Sequence, residues 1–161
     1  MFLKKIILPA ALLIGACTSN RGTADITLYG KMEKDGAKFY VAKAVGDVRK
    51  NNVSSLIKRA IEQYRVAYEG DDAETVLDAV ASAKRARAQY AVYPTVKRWD
   101  AINKPGKACQ AYIEFDVTIY DAATGRRVNK TEFVRECIFP GSDFVTGDCV
   151  NLDQWTEKFI R

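Results

Sequence analysis

Histidine is absent from this 161-residue sequence. Its absence excludes every mechanism that needs a histidine base, a histidine beside a nucleophile or a histidine metal ligand. The four cysteines form no C-x-x-C pair, and the serines lack a Gly-x-Ser-x-Gly elbow. The sequence therefore predicts no enzyme activity, no metal site and no cofactor.

The chain also lacks a strong charge of either sign. The formal net charge is +5, and two of the positive charges, Lys4 and Lys5, lie in the amino-terminal segment, so the remainder carries about +3. Nucleic-acid binding usually needs a concentrated basic face, and this balance does not favour it. An apolar content of 48% and a charged content of 28% are ordinary for a globular protein. The composition thus predicts one globular domain with no nucleic-acid partner.

The amino terminus carries an export signal. Lys4 and Lys5 are followed by an apolar run, Ile6 to Ile14, which is too short for a permanent membrane span. The run ends in Leu-Ile-Gly-Ala before Cys17, and this ending resembles a bacterial lipoprotein signal. The resemblance implies cleavage before Cys17, a diacylglyceryl group on its thiol, and acylation of the new amino terminus, commonly with palmitate. The chain then divides into a signal peptide (1–16), a lipidated cysteine with a short tether (17–24) and one domain (25–161).

The residue after Cys17 bears on the location. In enterobacterial sorting an aspartate there favours the inner membrane, whereas this chain has Thr18. For a Gram-negative source we expect an outer-membrane lipoprotein that faces the periplasm and contacts the lipid bilayer through acylated Cys17. The sequence gives no indication of oligomeric state.

Apolar periodicity predicts a mixed set of elements. Spacings of three and four residues predict helices, and alternation predicts strands, most clearly at Cys109 to Tyr120. Pro94 predicts an edge, a bulge or a break in its strand. Asn51 or Asn52 is a candidate cap of the first helix, and Asp71 with Glu74 of the second. The predicted strands are 26–32, 39–44, 65–68, 90–99, 109–120 and 126–137, and the predicted helices are 53–64, a second one that opens at 70–72 and has the apolar stripe Ala73, Val76, Leu77, Val80 and Ala83, and 152–160.

This order of elements predicts the fold class. One mixed, mostly antiparallel sheet with helices packed mainly on one face buries the apolar stripes, as in a two-layer α/β sandwich. Asp121 to Gly125 is predicted to turn the long hairpin, with Gly125 in the left-handed conformation.

Two segments resemble a family of bacterial outer-membrane lipoproteins with a domain of unknown function. The first is the Tyr-x-x-Tyr-Pro…Trp strand that starts at Tyr90 and reaches Trp99. The second is the Tyr-Asp-x-x-Thr-Gly hairpin turn from Tyr120 to Gly125. The resemblance implies an outer-membrane lipoprotein with an α/β domain, and it brings no catalytic residues.

Three cysteines remain after Cys17. Cys137 and Cys149 would close a loop of about 13 residues, which stabilises a domain by roughly 3 kcal/mol on the chain-entropy model. Cys109 competes for Cys137, because the hairpin places these two residues almost opposite each other. Three free thiols are the third alternative.

Several clusters of charge have both a structural and a functional interpretation. Glu114 and Asp116 lie two residues apart on the polar face of a strand. Paired carboxylates suggest glycoside cleavage, although exposed strands often carry such pairs. The acidic cluster lacks the frame of a calcium loop and is typical of a capped helix start. The basic cluster is typical of a solvated helix end and is a lesser candidate for contact with anionic lipid or a partner. The acidic cluster is Glu69, Asp71, Asp72 and Glu74, and the basic cluster is Lys84, Arg85 and Arg87.

The leading functional hypothesis is a membrane-anchored, non-catalytic periplasmic interaction domain. The alternative is an accessory subunit of an envelope assembly, such as a cell-wall synthase, a secretion machine or a lipid-export machine, and either role implies an envelope protein as partner. An envelope hydrolase that uses Glu114 and Asp116 is the weaker alternative.

Overall fold

The computed structural model describes residues 19–33, 35–46, 50–102, 109–139 and 152–161. They form one six-stranded sheet in the order β1-β6-β5-β4-β2-β3. β2 runs parallel to both β3 and β4, and the other neighbouring strands are antiparallel. The predicted α/β class with one mixed sheet is confirmed. The strands are β1 (Ser19–Leu28), β2 (Lys38–Lys43), β3 (Val66–Asp72), β4 (Tyr90–Ile102), β5 (Cys109–Asp121) and β6 (Arg127–Phe139), and the helices are α1 (Lys50–Glu62), α2 (Val76–Arg85) and α3 (Asp153–Phe159).

The larger core lies between the sheet and the two helices α1 and α3. The apolar stripe of α1 includes Val53, Ile57 and Ile61, each fully buried against this face. Trp155 of α3 meets the ring of Phe133 edge-on at 6.2 Å, and its indole Nε1 donates to Thr131 Oγ1 at 3.1 Å. A buried indole needs such a partner, so this pair fixes α3 on the sheet.

Of the helices in the described ranges, α2 alone lies on the opposite face, where it packs on β2 and β4 through small side chains such as Ala79 and Ala83. The helices therefore lie mainly, but not entirely, on one face. Leu77 was predicted in the buried stripe of α2, yet its side chain is 79% exposed, because the alanine-rich side of the helix faces the sheet. The capping box of α2 consists of Thr75 and Asp78.

The structure corrects three boundaries. The predicted capping residue Asp71 belongs to β3, because the pairing of this strand with β2 continues to Asp72. Helix α1 begins at Lys50, so the two asparagines expected to cap it lie inside the helix. Strand β1 begins at Ser19, within the segment expected to be a tether, because this polar stretch pairs with β6 along its whole length.

Pro94 lies inside β4 without breaking it or placing it at an edge. The ladder between β2 and β4 ends at the Val41–Val92 pair and resumes only as a single bridge between Val45 and Thr95. Pro94 falls in this gap, so its missing N–H costs no ladder hydrogen bond. Its carbonyl accepts from Val45 N–H at 3.1 Å.

Within the described ranges, no helix is both long and apolar enough to cross a bilayer. The predicted signal peptide and Cys17 lie outside the described residues, as does Cys149.

Candidate functional site

The candidate site is the part of the sheet that α2 leaves uncovered. Since α2 packs on β2 and the beginning of β4, the same face of β5 and β6 lacks a helix among the described residues. We call this surface the open face. At its centre lie five charged side chains from three strands, which we call the ionic network: Lys97 of β4, Glu114 and Asp116 of β5, and Lys130 and Glu132 of β6.

Strand register brings the network together. Alternation along β5 points Phe115 into the core and its neighbours Glu114 and Asp116 to the open face. Asp116 lies opposite Glu132 of β6, and Lys130 comes from the next position on the same face. The network therefore depends on the pairing of the long hairpin, whose turn is formed as predicted, with Gly125 at φ 71°.

A β-bulge in β4 supplies the central cation. Val96 and Trp99 are both buried in the core, although strict alternation would place them on opposite faces. The register shift between Val96 and Arg98 inserts Lys97 as an extra residue, so Lys97 and Arg98 both reach the open face.

Gly46 makes this arrangement possible. Its φ is +122°, and a Cβ atom at this position would stand 2.1 Å from the carbonyl oxygen of Val96. No side chain fits there, because the segment that follows β2 runs close beside the backbone of β4 next to the bulge. A glycine is needed both for the backbone conformation and for the close approach.

Lys97 holds the carboxylates together. Its Nζ lies 2.8 Å from Asp116 Oδ1, 3.2 Å from Glu132 Oε1 and 3.8 Å from Glu114 Oε1. Lys130 Nζ lies 3.1 Å from Asp116 Oδ2 and also contacts Glu132. Asp116 is the buried member, with only 10% of its side chain exposed. Two cations thus neutralise the buried carboxylate, as a buried charge requires.

The pKa values follow from these contacts. The hydrogen bond to Asp116 raises the pKa of Lys97, and the bond to Glu132 raises the pKa of Lys130. The hydrogen bond from Lys130 lowers the pKa of Glu132, with a further contribution from Lys97. Each of these shifts favours the charged form, so these side chains remain ionised around neutral pH.

Arginine and tyrosine flank the network on both sides. At one end Arg98 stacks over Tyr112, with 4.6 Å from Cζ to the ring centroid, and contacts Asp100. At the other end Arg127 stacks over Tyr29 at 4.0 Å. Tyrosine and arginine are enriched in protein interfaces, and a cation that lies over the face of an aromatic ring is stabilised by electrostatic attraction.

The other predicted residues lie apart from this surface. Glu69, Asp71 and Asp72 are exposed on the edge strand β3, and no group of three or more acidic or cysteine side chains in the described ranges is arranged to hold a metal. Ser54 is buried in α1, and its Oγ accepts from Ala44 N–H. Its role is therefore to join α1 to the end of β2. The basic cluster that includes Lys84 and Arg85 lies at the end of α2, as predicted.

Among the cysteines, the structure describes the side chain of Cys137. Cys137 is buried and disulfide-bonded, and the side chain of its partner lies outside those described. The register places Ala111 opposite Cys137 and Phe139 opposite Cys109, so the two strand cysteines are diagonal rather than almost opposite.

Sequence reasoning identified Glu114 and Asp116 but missed Lys97, Lys130 and Glu132. Alternation along β6 could have indicated Lys130 and Glu132. Both lie an odd number of positions before the buried Phe133, so their side chains are on the opposite face of the strand. In the sequence, only the nearby Pro94 indicated the bulge that places Lys97 beside them.

No protein-family model matches the sequence, and no curated protein matches it. Solved structures do resemble the fold. A PelC dodecamer from Paraburkholderia phytofirmans superposes with a TM-score of 0.55 at 13% identity, covering 87% of this chain and 92% of that one. A PelC variant dodecamer from the same organism gives 0.56 at 16% identity, with 76% and 87% covered.

The lipoprotein GNA1162 from Neisseria meningitidis is a more distant match. Its TM-score is 0.43 at 11% identity, and the match covers 76% of this chain and 94% of that one. The two PelC structures show that this chain shares its fold with proteins that form dodecamers.

Proposed function

We propose that this protein is a bacterial envelope lipoprotein, anchored by acylated Cys17, whose domain is a non-catalytic assembly module. The observation that carries the proposal is the ionic network. Glu114 and Asp116 are the only carboxylates that the sequence offered as a catalytic pair, and Lys97 lies between them in contact with both.

A catalytic pair needs a different environment. Glycoside cleavage uses one protonated carboxyl group and one free carboxylate on either side of the scissile bond. Here the ammonium groups of Lys97 and Lys130 lie against Asp116, one on each of its carboxylate oxygens. A flat surface of paired charges flanked by Arg–Tyr stacks fits a partner surface better than a substrate cleft.

The anchor and the fold support a position directly on the membrane. Only Thr18 separates Cys17 from Ser19, the first residue of β1. At about 3.5 Å per residue, the strand begins within roughly 7 Å of the lipidated residue. The end of the sheet at which β1 begins would therefore face the bilayer, and Thr18 favours the outer membrane with the domain in the periplasm.

The PelC structures support self-assembly as the first function of such a module, because proteins with this fold occur as dodecamers. A role as accessory subunit of an envelope machine is compatible with self-assembly. Affinity capture of the lipidated protein, with identification of the bound proteins by mass spectrometry, separates the two: self-assembly alone returns this chain, and an accessory role returns a second protein in constant ratio.

The anchor has a direct test. Cells are labelled with a palmitate analogue, and membranes are separated from soluble protein for the wild type, Cys17→Ala and the matched control Cys109→Ala. We expect label and membrane association in the wild type and the control, and loss of both in Cys17→Ala. A labelled Cys17→Ala protein, or one that is fully processed and still membrane-bound, would refute the anchor, whereas an unprocessed variant that retains its signal peptide would not.

A further inference from the structure

We propose that the two edges of the sheet bind one another in successive copies of this chain, with β1 of one copy against β3 of the next. The inference rests on the self-assembly proposed above and identifies its surface. β1 and β3 are the edge strands, and within the described ranges neither has a second strand beside it. Their outward N–H and C=O groups are therefore ready to pair with another strand.

Exposed apolar side chains mark one end of each edge. The described ranges contain four large ones, of which three lie at the edges: Leu28 (64% exposed) and Tyr29 (48%) where β1 ends, and Val66 (51%) where β3 begins. The fourth, Leu77, lies on α2. Solvated edge strands usually carry charges at such positions, so apolar residues on both edges indicate surfaces that are covered in the assembled protein.

The strand directions place these apolar residues at the same end of the sheet. β1 is antiparallel to β6, β6 to β5 and β5 to β4, whereas β4, β2 and β3 are parallel. The end of β1 and the beginning of β3 thus lie at the same end of the sheet. When two copies stand side by side with the same end up, Leu28 and Tyr29 of one meet Val66 of the other.

The other end of each edge carries opposite charge. β3 ends with exposed Glu69, Asp71 and Asp72. At the β1 edge the guanidinium of Arg135 reaches the outer strand, where its Nη1 donates to Thr23 O at 2.7 Å, and Asp25 is exposed two residues further along β1. Each edge is therefore apolar at one end and charged at the other, and the guanidinium of Arg135 at Thr23 would lie beside the acidic end of β3 in the next copy.

The resulting interface is heterologous. β1 runs opposite to β3, so the two edges would pair as antiparallel strands and continue the sheet from copy to copy. Each added copy leaves one edge of each kind free, and such growth ends only when a ring closes. A ring whose axis is normal to the membrane keeps every Cys17 on the same side.

The test uses charge at the edges with an exposed apolar control. Leu28→Lys places a charge on the β1 edge, and Val66→Lys places one on the β3 edge. The control, Leu77→Lys, changes an exposed side chain on α2, away from both edges. The masses of the lipidated proteins are measured in mild detergent. We expect a multi-copy wild type, an unchanged Leu77→Lys assembly, and single chains for both edge variants, with the dissociation constant raised about thirtyfold or more.

Mixing the two edge variants gives the sharper result. Val66→Lys retains a good β1 edge and Leu28→Lys a good β3 edge, so their equimolar mixture should form a dimer and nothing larger. A dimer of Val66→Lys alone would show a β1–β1 contact and overturn the proposal. A multi-copy wild type that both edge variants leave intact would also overturn it, while the self-assembly proposed above would stand. A single-chain wild type would refute both.

Discussion

At the scale of single residues, the ionic network makes stability depend on pH. Contact with Lys130 lowers the pKa of Glu132 below its ordinary value of 4.5. A lowered pKa contributes stability that is complete above 4.5 and is lost as the pH falls through the folded-state value. We therefore expect the wild type to lose more unfolding free energy than Glu132→Gln between about pH 7 and about pH 3. Urea unfolding at both pH values measures the difference, and equal losses would contradict a role for this carboxylate.

The second prediction at this scale concerns Cys137, which is disulfide-bonded. Diagonal cross-strand positions have Cα atoms about 7–8 Å apart, whereas a disulfide needs about 4.4–6.8 Å. The register makes Cys109 diagonal to Cys137, so we expect the partner to be Cys149. Peptide mapping without reductant should recover a peptide pair that contains Cys137 and Cys149. Recovery of Cys109 bound to Cys137 would show that the register of β5 and β6 is different at these cysteines in solution.

At the scale of elements, the bulge in β4 depends on the contact between Gly46 and Val96. Gly46→Ala adds both a strained φ and a clash with the carbonyl of Val96, whereas Gly125→Ala, at φ +71°, meets no atom within 4 Å. We expect Gly125→Ala to cost about 1 kcal/mol and Gly46→Ala at least about 2 kcal/mol of unfolding free energy. Equal costs in thermal or urea unfolding would show that the close approach is relaxed in solution.

Helix α3 is held by one large side chain. Trp155 is buried against Phe133 and donates to Thr131, while its neighbour Gln154 is exposed. Trp155→Ala should lower the unfolding free energy by about 3–5 kcal/mol, and Gln154→Ala should change it by less than about 0.5 kcal/mol. A small effect of Trp155→Ala would mean that α3 contributes little to the fold.

The elements also show how far sequence reasoning reaches. Alternation predicted β5 and its buried face, because its side chains alternate without interruption, and the Gly125 turn was predicted from local chemistry alone. Leu77 was misplaced because an alanine surface of α2 packs on the sheet, and packing partners are not visible in a helical period. The network was predicted only in part, because the position of Lys97 depends on a bulge in β4 that alternation does not reveal.

At the scale of the whole molecule, the protein that we propose combines a lipid anchor with an assembling domain. Cys17, the residue proposed to carry the lipid, stands two positions before β1, so the lipid would hold one end of the sheet at the bilayer. Neighbouring copies on one membrane would share this orientation, which removes much of the rotational freedom that association in solution has to restrict. The membrane would thus favour side-by-side contact between sheet edges.

The mass of the lipidated protein tests this account most directly. The protein is extracted from membranes in mild detergent at micromolar concentration, and its mass is measured beside that of Cys17→Ala purified from the soluble fraction. We expect the wild type in the membrane fraction as a discrete assembly of many copies that contains no other protein. A wild type recovered from the soluble fraction, or a single chain in the membrane extract, would contradict the account.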